Sequence, residues 1–226
     1  MKILIVEDDV AIVELVSLCL KVSWPDAIII FSGLVEEGIE LAKAESPDLI
    51  ILDLGLPDKS GLELLKEVRK TSSVPIIILT VRNEESDVVR GLELGADDYI
   101  TKPFRQMEFV SRAKALLRRQ NTNDSNSPVN IGPFRFSGSR RQVGIDGKTI
   151  KLTTTEGKIL YSLTQNNGKP VSHQDLSLTI WGEKTPDAAN SIRVHIRNLR
   201  QKLKGVGLSD IVATKSGAGY FLRKLP

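Results

Sequence analysis

The 226-residue chain holds a single cysteine, Cys19, which excludes an internal disulfide framework and suits a reducing compartment. With Leu15, Val16 and Leu18 around it, Cys19 has the setting of a core residue and not of a redox centre. No apolar run approaches the ~20 residues that a membrane-spanning helix needs. The first residues enter a strand pattern without a signal-peptide pattern, so a cytoplasmic protein without a membrane partner is expected. Nor does a glycine-rich loop follow the first apolar run, where Glu7, Asp8 and Asp9 stand instead; this argues against a nucleotide-binding enzyme. The net charge is only +3, but that balance hides a division. Residues 1–119 carry 15 Lys+Arg against 21 Asp+Glu, and residues 120–226 carry 16 against 7. An acidic half precedes a basic half, and the length suffices for two ordinary domains with cores of their own.

What is present is first a rhythm. In the acidic half, apolar runs at about 2–6, 27–31, 48–52, 74–79 and 98–101 alternate with helical patterns at about 9–22, 33–45, 60–70, 84–94 and 104–119. Five such βα units predict an α/β fold, a parallel sheet covered by helices on both faces. The expected strand order is the flavodoxin-like doubly wound 2-1-3-4-5. Residues 120–128, Gln120 to Pro128, are polar and aperiodic and read as a flexible linker between domains 1–119 and 129–226.

Four chemically apt residues end four of these runs: Asp8, Asp53, Thr80 and Lys102. Ligands of open α/β sheets bind at the carboxyl ends of the strands, so these side chains should converge. Taken singly, each has a plain structural role: a helix cap or turn former for Asp8 or Asp9, a surface lysine for Lys102, a strand-end threonine for Thr80. Together they suit a phosphoryl group. Mg²⁺ takes one or two carboxylates, waters and phosphate oxygens; Asp8 and Asp53, with Glu7 through water, supply that set. A carboxylate can act as nucleophile, and Asp53 is the candidate phosphoacceptor. Thr80 can donate a hydrogen bond to one phosphoryl oxygen and Lys102 can pair with another. A phosphatase with an aspartyl nucleophile would want a second acid two residues after Asp53, where this chain has Gly55.

The strings ILIVEDD, DLIILDLGLP, IIILT and ADDYITKPF together resemble a response-regulator receiver domain over residues 1 to about 119. The resemblance implies that Asp53 accepts phosphate from a histidine kinase, that Asp8, Asp53 and the Gly55 carbonyl bind Mg²⁺ with Glu7 assisting, and that the Lys102-Pro103 bond is cis. It implies a phosphoacceptor and not an enzyme in the ordinary sense. Thr80 and Tyr99 are the expected switch pair. A homodimer strengthened by phosphorylation is expected on the fourth helix, fifth strand and fifth helix, with Asp97, Asp98, Glu108, Arg112 and Arg119 as inter-subunit charges. Val88 and Ala115, where the family often has basic partners, weaken that network. Val81 follows Thr80 where Ala or Gly is usual, and is expected to slow or restrict phosphorylation.

The basic half begins with short extended pieces at about 129–131, 134–136, 142–145 and 149–152, separated by Gly- and Ser-containing turns. Helices are predicted at about 154–166, 173–181 and 187–204, followed by a hairpin at about 211–222. This is an α+β winged helix-turn-helix plan. On a 100° wheel of the third helix, Ile192, Ile196, Leu199 and Leu203 share one sector, while Asn190, Arg193, Val194, Arg197, Gln201 and Lys204 lie opposite. Such a face can be mere solvated surface, yet in a basic domain it fits the major groove, where Asn, Arg and Val methyls can touch bases.

LTTTEGKIL, NNGKPVS, Trp181-Gly182, VHIRNLRQKL and GAGYFL resemble the winged-helix effector domain of the OmpR/PhoB family, across residues 129–225. By that resemblance the protein is a two-component response regulator that binds double-stranded DNA at tandem half-sites and works with RNA polymerase. Asn190, Val194 and Asn198 would face bases. Ser191, His195, Arg197 and Arg200 would approach the DNA backbone, with His195 equally suited to packing, and Arg193, Lys204 and Lys215 would add basic contacts. Ser216 stands where the family commonly has an arginine before the wing glycine, and Asn198 where its best-known members have another, so neither minor-groove reading nor an operator sequence carries over.

Overall fold

The structure, a computed structural model, describes residues 1–81, 85–118, 128–184 and 188–223. The chain divides into two compact units, Met1–Leu117 and Arg118–Pro226. The expected linker falls almost wholly on residues 119–127, outside the described residues.

In the first unit, β1 (Lys2–Val6), β2 (Ile28–Ser32), β3 (Leu49–Asp53), β4 (Ile76–Val81) and β5 (Asp98–Lys102) alternate with α1 (Val10–Ser23), α2 (Val35–Glu45), α3 (Gly61–Thr71), α4 (Glu85–Glu93) and α5 (Gln106–Leu117). The sheet is parallel in the order β2-β1-β3-β4-β5, as the sequence predicts. Helices cover both faces, so the inner strands Ile3–Val6, Leu49–Leu52 and Ile76–Leu79 are apolar at every position and buried throughout. The edge strand β2 has one side open, and its Ile28 and Phe31 are exposed.

Helix starts follow local chemistry. Asp9 caps α1 by accepting from the Ala11 and Ile12 amides, and Ser60 caps α3 by accepting from Leu62. Gly61 opens α3 in contact with the end of β3: its amide donates to the Leu54 carbonyl, and a Cβ added there would lie 2.1 Å from the Asp53 carbonyl oxygen. Only glycine admits that approach.

The second unit opens with an antiparallel sheet, β6 (Val129–Ile131), β7 (Phe134–Phe136), β8 (Gln142–Ile145) and β9 (Lys148–Lys151), paired in sequence order. Helices α6 (Thr154–Gln165), α7 (His173–Trp181) and α8 (Ala188–Lys204) follow, then the hairpin β10 (Val212–Lys215) and β11 (Gly219–Leu222). Thr153 and Glu156 close a reciprocal capping box at the start of α6, and Lys202 of α8 reaches the same Glu156 carboxylate at 2.6 Å. Phe136, Leu160, Trp181, Ile192, Ile196 and Leu199 form the middle of the core. The hairpin is fastened to the helices by paired backbone hydrogen bonds between Val171 and Tyr220. There Gly219, at φ +120°, runs so close that a Cβ would sit 2.0 Å from the Val171 carbonyl oxygen.

Candidate functional site

Because β1, β3, β4 and β5 are neighbours, their carboxyl ends bring the predicted residues together. Carboxylate oxygens of Glu7, Asp8 and Asp53 lie within 4.8 Å of one another. The Lys102 ammonium, on β5, reaches across to Glu7 Oε2 at 2.6 Å and Asp53 Oδ2 at 2.7 Å. Gly55 lies just beyond, its amide donating to Asp53 Oδ1 at 3.2 Å. Thr80 is buried on β4, its hydroxyl donating to the Val81 carbonyl at 3.3 Å. The Lys102-Pro103 peptide is cis.

The electrostatics follow from burial. Desolvation pushes the Glu7 carboxyl up to about 7, against the hydrogen bond from Lys102, while the negative Asp53 adds to the rise. For Lys102, burial works against the charge, but hydrogen bonds to Asp53 and Glu7 carry its pKa above the usual lysine value. Three crowded carboxylates with one shared ammonium leave negative charge in excess, and every donor atom is a hard oxygen. That donor set fits a small divalent cation such as Mg²⁺. Asp8 is exposed at the mouth, Glu7 is at the back, and Asp53 lies between them in burial. Val81 pairs in register with Lys102 and leaves its side chain half exposed.

The expected dimer charges are used differently. Asp97 is buried and bound within the chain, accepting from Arg69 Nη2 and from the Ile76 amide, both at 3.1 Å; this corrects its placement at an interface. Asp98 is also buried, held by Arg112 Nη1 at 3.0 and 3.2 Å, while Arg112 Nη2 binds Glu108 at 2.8 Å. An aspartate removed from water requires such partners, and here the chain supplies them itself. Val88 and Ala115 are buried too. Tyr99 is half-buried beside this cluster, and Arg119 lies outside the described residues.

On α8 the outward face is as the wheel predicts: Asn190, Arg193, Arg197, Gln201 and Lys204 are exposed and Val194 half exposed. Lys215, at the hairpin's end, is exposed as well. Ser191 and Asn198 are corrections, being 4% and 7% exposed and therefore inside the domain, and His195, 1% exposed, takes the packed alternative. The helix packs against both α6 and α7, and the buried stripe is wider than the four-residue apolar sector. Arg200 turns to the hairpin, donating from Nε to the Val212 carbonyl at 2.9 Å and from Nη2 to Thr214 at 2.8 Å.

Sequence reasoning passed over Gly61 and the hairpin role of Arg200. A glycine placed immediately after a helix-capping serine was the available signal for the first; nothing local announced the second.

Comparison with known proteins agrees with both halves. The family described as "Response regulator receiver domain" matches residues 3–114, and the family "Transcriptional regulatory protein, C terminal" matches residues 147–222. The chain is 39% identical over 209 residues, 89% of each chain, to the transcriptional regulatory protein CpxR of Escherichia coli K12. It is 36% identical over 223 residues, 99% of each chain, to the response regulator ArlR of Staphylococcus saprophyticus. The chain is a two-component response regulator of the OmpR/PhoB family. Among solved structures, this regulator resembles DrrB, an OmpR/PhoB homolog from Thermotoga maritima, at 28% identity and TM-score 0.51 with 99% of each chain covered. A mutant of RitR, 23% identical with TM-score 0.77 and 99% of each chain covered, shares the fold. The regulator thus pairs a receiver domain with a DNA-binding transcriptional domain. Among the described residues, no helix is long and apolar enough to cross a membrane.

Proposed function

We propose that Asp53 accepts a phosphoryl group from a histidine kinase and that this charge governs how two copies of the basic domain hold DNA. The observation that supports it most is the Lys102 ammonium bridging Asp53 and Glu7 at 2.7 and 2.6 Å beside the Asp8 carboxylate. Asp8, Asp53, the Gly55 carbonyl and Glu7 through water would hold Mg²⁺, which when bound offsets repulsion between carboxylate and phosphoryl oxygens. Asp53 attacks phosphorus, a P–O bond forms, and the bond to the donor's imidazole nitrogen breaks with its electron pair leaving on nitrogen. Lys102 keeps hold of one oxygen through the transfer, and catalysis is positioning and charge stabilisation by these groups. The chain is a phosphoacceptor rather than a conventional enzyme.

The phosphoryl group draws Thr80 inward, and Tyr99 occupies the space it leaves. That change favours a homodimer through α4, β5 and α5, with Glu108, Arg112 and Arg119 as the proposed inter-subunit charges. In the dimer the second DNA-binding domain engages at high effective concentration, which suits tandem half-sites about one helical turn apart. Asn190, Arg193, Val194, Arg197, Lys204 and Lys215 are the proposed DNA contacts, RNA polymerase the further partner, and the cytoplasm the compartment.

The test is label transfer. With Mg²⁺ and the cognate kinase or a small acyl phosphate, the wild-type chain should acquire label and Asp53→Asn should not; label retained in the variant rejects Asp53 as acceptor. DNA binding and transcription that persist undiminished in Asp53→Asn would point instead to a regulator that works without phosphate.

A further inference from the structure

The first turn of α2 is capped from another element. Leu34, at its N-cap, offers no side-chain acceptor. Both carboxylate oxygens of Asp58, in the loop between β3 and α3, supply the need: Oδ1 accepts from the Val35 amide at 3.0 Å and Oδ2 from the Glu36 amide at 3.2 Å. Two successive amides at the positive end of a helix stabilise the anion, and the Val35 bond leads the causes that hold Asp58 below the usual carboxylate range. The next residue, Lys59, forms an ion pair with Glu36. Consecutive residues of this loop therefore grip consecutive residues of α2, across a separation of 22 or 23 positions.

The anchored loop is the one that carries the phosphoacceptor. It leaves β3 at Asp53, turns through Gly55, and is closed by a bridge between Gly55 and Ser60. On the other side of the anchor, α2 is preceded by Gly33, where an added Cβ would lie 3.7 Å from the Asp8 Cα. Asp58 thus ties the segment bearing Asp53 and Gly55 to the segment packed against Asp8. An ordinary cap would come from Leu34's own position; a cap taken from this loop fixes two site-bearing segments relative to one another.

We infer that Asp58 is a positioning residue of the phosphoacceptor site: it holds the Asp53–Gly55 segment against the α2 start beside Asp8 and so sets affinity for the divalent cation. The inference rests on the proposed Mg²⁺ site and adds to it a residue that touches neither metal nor phosphoryl group.

The test uses the full chain and three measurements: heat of Mg²⁺ binding, thermal midpoint, and amide hydrogen exchange. Asp58→Ala should speed exchange at Val35, Glu36 and residues 55–60, and weaken Mg²⁺ binding roughly tenfold, the scale of losing an outer support of a metal site. Asp58→Asn, which keeps one acceptor oxygen, should recover part of that loss. Leu34→Ser in the Asp58→Ala background gives α2 a cap of its own; it should restore the thermal midpoint while Mg²⁺ binding stays weak. Wild-type Mg²⁺ affinity in Asp58→Ala, or its return with the local cap, reduces Asp58 to a helix cap and overturns the inference. If the wild-type chain takes up no Mg²⁺, the metal site itself is rejected. Exchange at residues 55–60 then decides the tether alone, which fails if Asp58→Ala leaves it unchanged.

Discussion

Arg112 and Asp98 form a two-bond ion pair inside one chain, Nη1 standing 3.0 Å from Oδ1 and 3.2 Å from Oδ2. The same guanidinium holds Glu108 at 2.8 Å. Any use of these charges between subunits must therefore exchange bonds already made, and not recruit idle ones. In the proposed dimer, that exchange would limit the electrostatic gain of association.

The pair sets a pH dependence. Burial pushes the Asp98 carboxyl up to about 6, against the Arg112 charge. Since the unfolded value is 3.8, the folded chain holds the proton more tightly; this contribution to stability is full below about pH 4 and lost as pH rises through 6. At 1.36 kcal/mol per unit the loss is on the order of 3 kcal/mol. Urea unfolding at pH 4.5 and 7.5 should show a smaller decline in Asp98→Asn than in wild type. Glu7, raised in the same sense, leaves a residual slope in both. Equal declines would exclude Asp98 as the source.

Removing the Lys102 ammonium should separate metal binding from chemistry. The ammonium occupies Glu7 and Asp53 oxygens and competes with a cation. Lys102→Ala should bind Mg²⁺ more tightly in calorimetric titration, yet lose roughly 100-fold or more in Asp53 labelling, the scale of removing one charge-stabilising donor. Labelling at the wild-type rate would remove Lys102 from the reaction.

Gly61→Ala should damage both fold and site. The methyl would meet the Asp53 carbonyl oxygen at 2.1 Å, a backbone atom that cannot rotate away. Destabilisation of about 3 kcal/mol, the upper range for overpacking, is expected in denaturant unfolding, with slower labelling of Asp53. A variant as stable as wild type would show that α3 can slide without penalty.

Two kinds of residue on α8 should part company. Arg193→Ala and Arg197→Ala, on the exposed face, should each lower DNA affinity with little change in stability; where the contact is to phosphate, the slope of log affinity against log salt should fall by about one. His195→Ala, in the packed face, should cost about 2–4 kcal/mol of stability. Fluorescence anisotropy with DNA and denaturant titration distinguish them. A His195 variant of full stability but weak DNA binding would reverse the assignment.

Much of this was legible in the chain because parallel strands buried on both faces write themselves as unbroken apolar runs. Leu49–Leu52 and Ile76–Leu79 announce both the strands and their carboxyl ends, so the proximity of the residues that follow them could be expected before any contact was known. Asp97 was not legible, because an acidic residue before a strand looks the same whether it faces water or Arg69; that partner lies 28 positions away. Asp58 eluded the sequence for the same reason, since a cap donated across the fold has no local signature. Ser191 and Asn198 were assigned to DNA by family resemblance, which carries positions but not burial, whereas α8 buries these polar side chains, with His195, where it meets α6 and α7.

The close passage of Gly219 over the Val171 carbonyl has a mechanical meaning for target choice. The hairpin stem is joined to the three-helix body there and again through Arg200, so strand and helix are tied at two points. A hairpin and helix presented to DNA as one unit would place part of target choice on the duplex, whose groove width and bend must suit them, and not on base edges alone.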